Sequence, residues 1–315
     1  MDNLIYSLNA TVPVFVVIVA GYIFKKIGWI NDGFIKASNK LTFTVTLPLL
    51  LIQDMMNNDF LKKFDLTYVL FCFFVTLLCC IGTTIVTKIV MKDKSIIAEF
   101  VQASYRSSAA VLGAAFILNI YGDTGMLPLM IIGAVPLYNV YAVIILTVEC
   151  PEKGAKQEKT LAKTLKGIAR NPIILGIVIG VIFSALKIKF PPMLDNTVNN
   201  FAKITTPLAL LAIGGSFEFG KAIERMKPAV IATALKLVGW PLIFLPIAIK
   251  MGFRNDELMA LVIMLGSPTT PSCYVMAKSM RSEGILTSSV IVLTTLFSAF
   301  SITGIIFVLR SLGYL

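Results

Sequence analysis

Residues 10–24, ATVPVFVVIVAGYIF, return in altered form at residues 169–183, ARNPIILGIVIGVIF, with seven of the fifteen positions identical. The offset between the two stretches is 159 residues, and the same offset aligns Pro48 with Pro207. Proline and glycine carry positional constraints that leucine and valine do not, so a register held over most of the chain favours an internal duplication. The alternative is two similar apolar halves without common ancestry.

The composition places both halves in a membrane. Of the 315 residues, 57% are hydrophobic and only 14% are charged, whereas soluble domains carry about 25% charged residues. The mean hydropathy is +0.85. These values exclude a soluble globular protein and a disordered chain. The sequence has no histidine, which excludes histidine metal sites and Ser-His-Asp nucleophiles, and its five cysteines form no metal-ligating spacing.

Apolar runs of about 20 residues predict ten membrane-spanning helices. Of the 28 lysines and arginines, 18 fall in one alternate set of loops, 7 in the opposite set, and 3 within spans. Because basic loops stay in the cytoplasm, this bias predicts a cell-membrane protein with both termini outside and a cytoplasmic central loop. The net charge of +11 therefore reflects topology, and no nucleic-acid partner is expected. The predicted spans are 4–24, 33–53, 66–87, 97–119, 125–148, 169–187, 193–216, 228–249, 257–277 and 285–309.

The ten spans divide into two repeats of five. We assign residues 1–150 to the first repeat, 151–168 to a basic cytoplasmic linker, and 169–315 to the second repeat. Because five is an odd number, the second repeat enters the membrane from the opposite side, an arrangement common among secondary transporters. The predicted fold class is an all-α membrane protein with two inverted five-helix repeats.

The ninth predicted span contains LGSPTTPSCY at residues 265–274. Two prolines after Gly266 remove amide donors and disfavour helical backbone just before each of them, which predicts a broken helix lining a cavity. A plain proline kink is the alternative. The equivalent segment of the fourth span runs from Arg106 to Gly113 and has no proline. We predict that spans 4 and 9 are discontinuous helices that cross, with Gly113 and Gly266 at their breaks.

Arg106 is a charged residue in the middle of a predicted span. An arginine at this depth costs roughly 2.5–3.5 kcal/mol on insertion scales and by default marks a functional site. Its guanidinium can bind a carboxylate in bidentate fashion, so we predict an anionic substrate. Two alternatives stay open: a structural pair with Glu99, two helical turns earlier, or a side chain that reaches the membrane surface.

Other candidates are polar or helix-breaking residues within spans. An asparagine amide donates and accepts hydrogen bonds, so Asn139 can line the cavity or bond a neighbouring helix. Lys203 can hold a carboxylate or reach the outer surface, whereas we interpret Lys236 as structural. The predicted substrate-binding residues are Arg106, Ser107, Ser108, Tyr138, Asn139, Pro268, Thr269, Thr270, Pro271 and Ser272; the predicted hinges are Pro48, Gly113, Pro207 and Gly266; Tyr105 and Lys203 are further candidates.

Acidic residues lie near the ends of predicted spans, which argues against a proton-coupled cation antiporter with a buried carboxylate. Coupling to H⁺, or to Na⁺ held by carbonyls and hydroxyls, stays open. No cofactor or metal is expected. The sequence contains no phosphate-binding loop that would indicate direct use of ATP.

Short motifs in order along the chain resemble the auxin efflux carrier family of transporters, in its bacterial branch. They are TLPLLL at 46–51, Tyr105-Arg106-Ser107, PLYN at 136–139, Pro207 through Gly215, GSP at 266–268 and SCYVMA at 272–277. The resemblance covers essentially the whole chain. It departs from the family pattern in span 4, where Ser107 replaces the usual asparagine and Gly113-Ala114-Ala115 replaces the usual Gly-Leu-Pro.

The resemblance implies an elevator-like exchange in which spans 3–5 and 8–10 move against a scaffold of spans 1, 2, 6 and 7. It also implies a homodimer formed through the scaffold and a small carboxylate, such as a dicarboxylate, as substrate; membrane lipid is the other expected partner. We therefore expect a secondary active or facilitative transporter of organic anions. An enzyme is not expected, since no nucleophile–base pair is visible. The alternative is a membrane sensor or binding protein that keeps this fold without transport.

Overall fold

The computed structural model describes residues 2–56, 65–109, 117, 125–150 and 167–315, and helices dominate this part of the chain. Four of its helices are long and apolar enough to cross a membrane. They are Leu66–Val90, Leu127–Glu149, Met226–Lys250 and Ile285–Ser311. An all-helical, multi-pass membrane protein is therefore confirmed for the described residues, while the count of ten spans stays a prediction.

The α-helices of the described ranges are numbered in chain order. They are α1 Asp2–Lys26, α2 Asp32–Leu41, α3 Leu47–Met56, α4 Leu66–Val90, α5 Ile97–Tyr105, α6 Leu127–Glu149, α7 Pro172–Ala185, α8 Pro192–Gly215, α9 Phe219–Glu224, α10 Met226–Ala234, α11 Trp240–Lys250, α12 Asn255–Gly266, α13 Ser272–Ser279 and α14 Ile285–Ser311.

Several of these helices join through irregular turns. π-helical turns at Thr42–Thr46 and Leu235–Gly239 connect α2 to α3 and α10 to α11. Such turns inside α-helices are frequent at functional sites. In the ninth predicted span, α12 ends at Gly266 and α13 begins at Ser272, so the chain is not helical between them. The prolines of this segment therefore produce a break rather than a kink.

The predicted hinges have different outcomes. Pro207 lies inside α8, which runs without interruption from Pro192 to Gly215, so no break occurs there. Membrane helices tolerate such a proline because neighbouring groups satisfy the carbonyl it leaves free. Pro48 is the second residue of α3, directly after a π-helical turn. Gly113 lies outside the described residues, as does nearly all of the predicted linker 151–168.

Three helix contacts hold α1, α3, α7 and α8 together. α1 packs along α8, α3 packs along α7, and α3 also contacts α8. A Cβ atom at Gly21 would lie 3.0 Å from the Cα of Leu211, and one at Gly180 would lie 3.0 Å from the Cα of Ile52. These positions have no room for a side chain, so glycine lets the two backbones approach as at other small-residue interfaces in membranes.

Candidate functional site

The break between α12 and α13 lies against the non-helical segment that follows α5. The backbone N–H of Ser108 donates to the carbonyl of Pro268 (2.9 Å). The hydroxyl of Thr269 donates to the carbonyl of Ala103 (2.7 Å), and its backbone N–H donates to Thr294 Oγ1 (3.1 Å). The two segments thus meet inside the protein and satisfy backbone groups that have no helical partner, as the interior of a membrane requires.

Two tyrosines brace this meeting point. The hydroxyl of Tyr105 donates to the carbonyl of Tyr138 (3.1 Å), and the hydroxyl of Tyr138 donates to the carbonyl of Met264 near the end of α12 (3.2 Å). Their ring centroids are 5.9 Å apart. Both side chains are buried. They connect α5, α6 and α12, so the position of the break is held from three helices.

Arg106 lies where the segments meet and is only 2% exposed. Its Nη2 atom donates to Asn139 Oδ1 (2.7 Å) and Ser272 Oγ (2.9 Å), and its Nη1 atom lies 2.8 Å from the sulfur of Met276. The Nε atom is buried without a hydrogen-bond partner. Within the described ranges no carboxylate forms a salt bridge with Arg106. A buried guanidinium in this state is costly and is suited to an added anion.

The alternative pairing of Arg106 with Glu99 is not found. Glu99 is buried, and its carboxylate accepts hydrogen bonds from the N–H of Gly284 (2.7 Å), the N–H of Thr287 (2.9 Å) and the hydroxyls of Thr287 (3.0 Å) and Ser282. These donors surround the first turn of α14, whose positive end favours a carboxylate. Burial of Arg106 also excludes the alternative in which it reaches the membrane surface.

A cavity of about 70 Å³ lies beside Arg106. This space is more than one water molecule needs, so the cavity can accept a carboxylate group. The predicted site residues on its wall are Arg106, Ser107, Ser108, Tyr138, Asn139, Thr270, Pro271 and Ser272. Pro268 and Thr269 instead bond the two broken segments together, and Lys203 is exposed on α8 and does not line the cavity.

Asp54, Thr205 and Thr206 also line the cavity, and the predicted site omits them. Asp54 does lie near a helix end, two residues before the end of α3, but it also lines the cavity, so the inference that no carboxylate lies at the site is wrong. Thr205 Oγ1 is buried without a partner, and the hydroxyls before Pro207 are the sequence signal that could have identified it.

Lys236 is fully buried at the same place, in the π-helical turn between α10 and α11. Its Nζ atom donates to the carbonyl of Leu265 (2.6 Å) and to the hydroxyl of Ser107, and it lies 3.5 Å from the carbonyl oxygen of Met264. Lys236 thus contacts a predicted site residue, Ser107, while its bond to a backbone carbonyl agrees with the interpretation of Lys236 as structural.

A second, wider cavity of about 930 Å³ lies between the ends of α1, α2, α8 and α13. Its wall carries more basic than acidic side chains, and these residues come from loops and helix ends that the sequence assigns to the cytoplasm. The charged wall residues are Lys25, Lys26, Asp32, Lys36, Lys40, Glu218 and Lys278. An excess of positive charge in a concave surface raises the local concentration of anions.

A charged contact outside the membrane-spanning helices joins two loops. Asp93, after α4, accepts hydrogen bonds from the Ser95 hydroxyl (2.6 Å), the Ser95 N–H (3.0 Å) and the Arg225 guanidinium. The hydrogen bond from the Ser95 hydroxyl lowers the pKa of Asp93 most, followed by those from Arg225 and the Ser95 N–H, and together they bring it to about 2. The hydrogen bond to Asp93 also raises the pKa of Arg225.

Interrupted helices that meet inside a membrane bundle, with a buried charge at the interruption, are the usual architecture of secondary transporters. This places the chain among membrane transporters. Comparison of sequences agrees, because the family model described as "Membrane transport protein" matches residues 6–306. The chain belongs to this family, which confirms the resemblance to the auxin efflux carriers and makes it a transporter rather than an enzyme.

Individual relatives are distant but extend along most of the chain. A protein of Rhizobium meliloti (strain 1021) named "Putative malonate transporter" is 23% identical over 95% of this chain and 94% of its own length. The "Uncharacterized transporter YfdV" of Escherichia coli (strain K12) is 24% identical over 87% of this chain and 88% of its own length.

Proposed function

We propose that the protein is a secondary active or facilitative transporter of small organic anions and that the cavity beside Arg106 is its substrate site. The observation that carries this proposal is the buried guanidinium of Arg106, whose Nε atom has no partner. A substrate carboxylate would supply the missing acceptor. The name of the Rhizobium relative suggests dicarboxylates such as malonate as the first substrates to test.

One end of the broken helix, the start of α13, also favours an anion in this cavity. α13 begins at Ser272, and Thr270, Pro271 and Ser272 are on the cavity wall. The N-terminus of a helix carries partial positive charge, which stabilises a nearby carboxylate. Asp54 faces the same cavity, so proton uptake there would reduce its repulsion of the substrate, and we propose H⁺ as the coupling ion on this ground.

Inverted repeats and an elevator-like exchange complete the proposal. The contact of Gly21 with Leu211 and the contact of Gly180 with Ile52 are equivalent under the 159-residue offset, because Gly21 aligns with Gly180 and Ile52 aligns with Leu211. Two halves related in this way favour α1, α3, α7 and α8 as a scaffold, with the broken helices in the moving part. The same proposal includes ten spans, external termini, a cytoplasmic linker, a homodimer formed through the scaffold and contact with lipid.

Uptake of radiolabelled malonate and succinate into proteoliposomes tests the substrate site. Arg106→Gln keeps hydrogen-bonding groups but removes the charge, and we expect it to reduce uptake at least about 100-fold, because breaking a buried charge pair costs roughly 3–5 kcal/mol. Lys203→Gln is the matched control, since it removes an exposed charge from α8, and should transport normally. Equal uptake by Arg106→Gln and wild type, at equal amounts of folded protein, would refute the assignment.

A further inference from the structure

The break after α12 leaves two particular carbonyls without their helical partners. In a continuous helix, the carbonyl of Met264 would accept from residue 268 and that of Leu265 from residue 269. Residue 268 is a proline and has no N–H, and the N–H of Thr269 donates to Thr294 Oγ1 instead. Both carbonyls must therefore find other donors inside the protein.

The hydroxyls of Tyr138 (3.2 Å) and Ser107 donate to the carbonyl of Met264, and the ammonium group of Lys236 lies next to both carbonyls. Nζ donates to the carbonyl of Leu265 (2.6 Å) and lies 3.5 Å from that of Met264, while the hydroxyl of Ser107 provides a third oxygen. An ammonium group has three donors and no acceptor, so it suits a set of three oxygens. Lys236 also forms no salt bridge within the described residues, so backbone and hydroxyl dipoles compensate its charge.

Carbonyl oxygens at the C-terminal end of a half-helix, together with hydroxyls, form the kind of site that holds Na⁺ in transporters with broken helices. The negative end of the α12 dipole adds to the attraction for a cation. We propose that Lys236 is a tethered cation that occupies a monovalent-cation site formed by Met264, Leu265 and Ser107. The wild-type protein consequently needs no Na⁺ at this position. The inference does not depend on which anion the protein transports.

Thermal unfolding of the purified protein in NaCl, compared with the same concentration of choline chloride, tests the proposal. Wild type should unfold at the same temperature in both salts. Lys236→Ala vacates the site and leaves room for an ion, so Na⁺ should raise its unfolding temperature by a few degrees, as a ligand that binds only the folded state does. Lys236→Met removes the charge but fills the volume, and should show no response to Na⁺.

Each result bears on the proposal. A sodium-dependent rise in the unfolding temperature of wild type or of Lys236→Met would overturn it. Na⁺ would then bind elsewhere, or the effect would be a general one of salt. No response in Lys236→Ala would overturn it as well. If that variant does not fold in either salt, Lys236→Ser takes its place, and the same two outcomes apply. Lys203→Ala, an exposed position, controls for the loss of a lysine.

Discussion

Glu99 is predicted to contribute more to stability than any surface carboxylate, because its carboxylate is buried and hydrogen-bonded inside the protein. Its two oxygens accept from the N–H groups of Gly284 and Thr287 and from the hydroxyls of Thr287 and Ser282. Glu99→Gln replaces one carboxylate oxygen with an NH₂ group. This group is itself a donor, so it cannot accept from the donors that face it. Two charge-assisted hydrogen bonds of about 1.5–3 kcal/mol each are lost, so we expect destabilisation by about 3–5 kcal/mol.

Thermal unfolding in detergent measures this effect. At about 2 °C per kcal/mol for a chain of this size, Glu99→Gln should lower the unfolding temperature by about 6–10 °C. Glu218→Gln is the matched control, because Glu218 forms a salt bridge with Lys221 (2.9 Å) and both side chains are more than half exposed. A surface pair of this kind contributes about 0–1 kcal/mol, so the control should shift by at most about 2 °C.

The same measurement separates the two roles that the sequence allows for Glu99. If Glu99 paired with Arg106, removing both charges would be less damaging than the sum of the single changes, with a coupling energy of about 3 kcal/mol or more. The structure predicts a small coupling energy, since Glu99 is bonded to the start of α14. Equal shifts for Glu99→Gln and Glu218→Gln, or strong coupling to Arg106, would refute the capping role.

Three further predictions concern packing, anion access and pH. Gly180→Ala should destabilise the fold by about 1–3 kcal/mol, because its new methyl group would lie too close to Ile52. Gly82→Ala, where nothing lies within 4 Å, should have little effect, and equal unfolding temperatures for the two variants would contradict this. Lys40→Glu, in the wide basic cavity, should raise the KM for anion uptake and weaken its dependence on salt, and an unchanged KM would refute attraction there. The pKa of Asp93 is lowered from 3.8 to about 2, so its stabilising contribution is present above pH 4 and is lost as pH falls toward 2. Because Asp93 is 44% exposed, that contribution is at most about 1 kcal/mol; Asp93→Asn should remove it, and identical acid-unfolding curves for the two proteins would contradict it.

Sequence reasoning succeeded where one residue type imposes a local rule. The two prolines around Thr269 and Thr270 break the helix, and a buried arginine needs partners, which the structure supplies from Asn139 and Ser272. It failed for Asp54, which lies near the end of α3 and still lines the cavity. A position near a helix end in the sequence does not determine how close that end lies to the site in the folded protein.

The sequence also does not determine which groups a buried charged side chain bonds to. Glu99 and Arg106 are seven residues apart, and helical periodicity makes them neighbours, yet each bonds to groups that lie more than 150 residues away in sequence. The choice depends on where α13 and α14 begin in space. The sequence of α5 contains no information on that position, so both pairings are compatible with it.

One interruption of a helix produces two ends of opposite polarity only a few residues apart. At the end of α12 the carbonyl of Leu265 accepts a hydrogen bond from Lys236 Nζ, and the carbonyl oxygen of Met264 lies 3.5 Å from the same atom. Ser272 at the start of α13 lies on the cavity wall beside Arg106. Because the cation-attracting end already holds a covalently attached ammonium, the end that remains for a diffusible ligand is the one that favours an anion. The fixed lysine and the anionic substrate that we propose are thus two consequences of the same break.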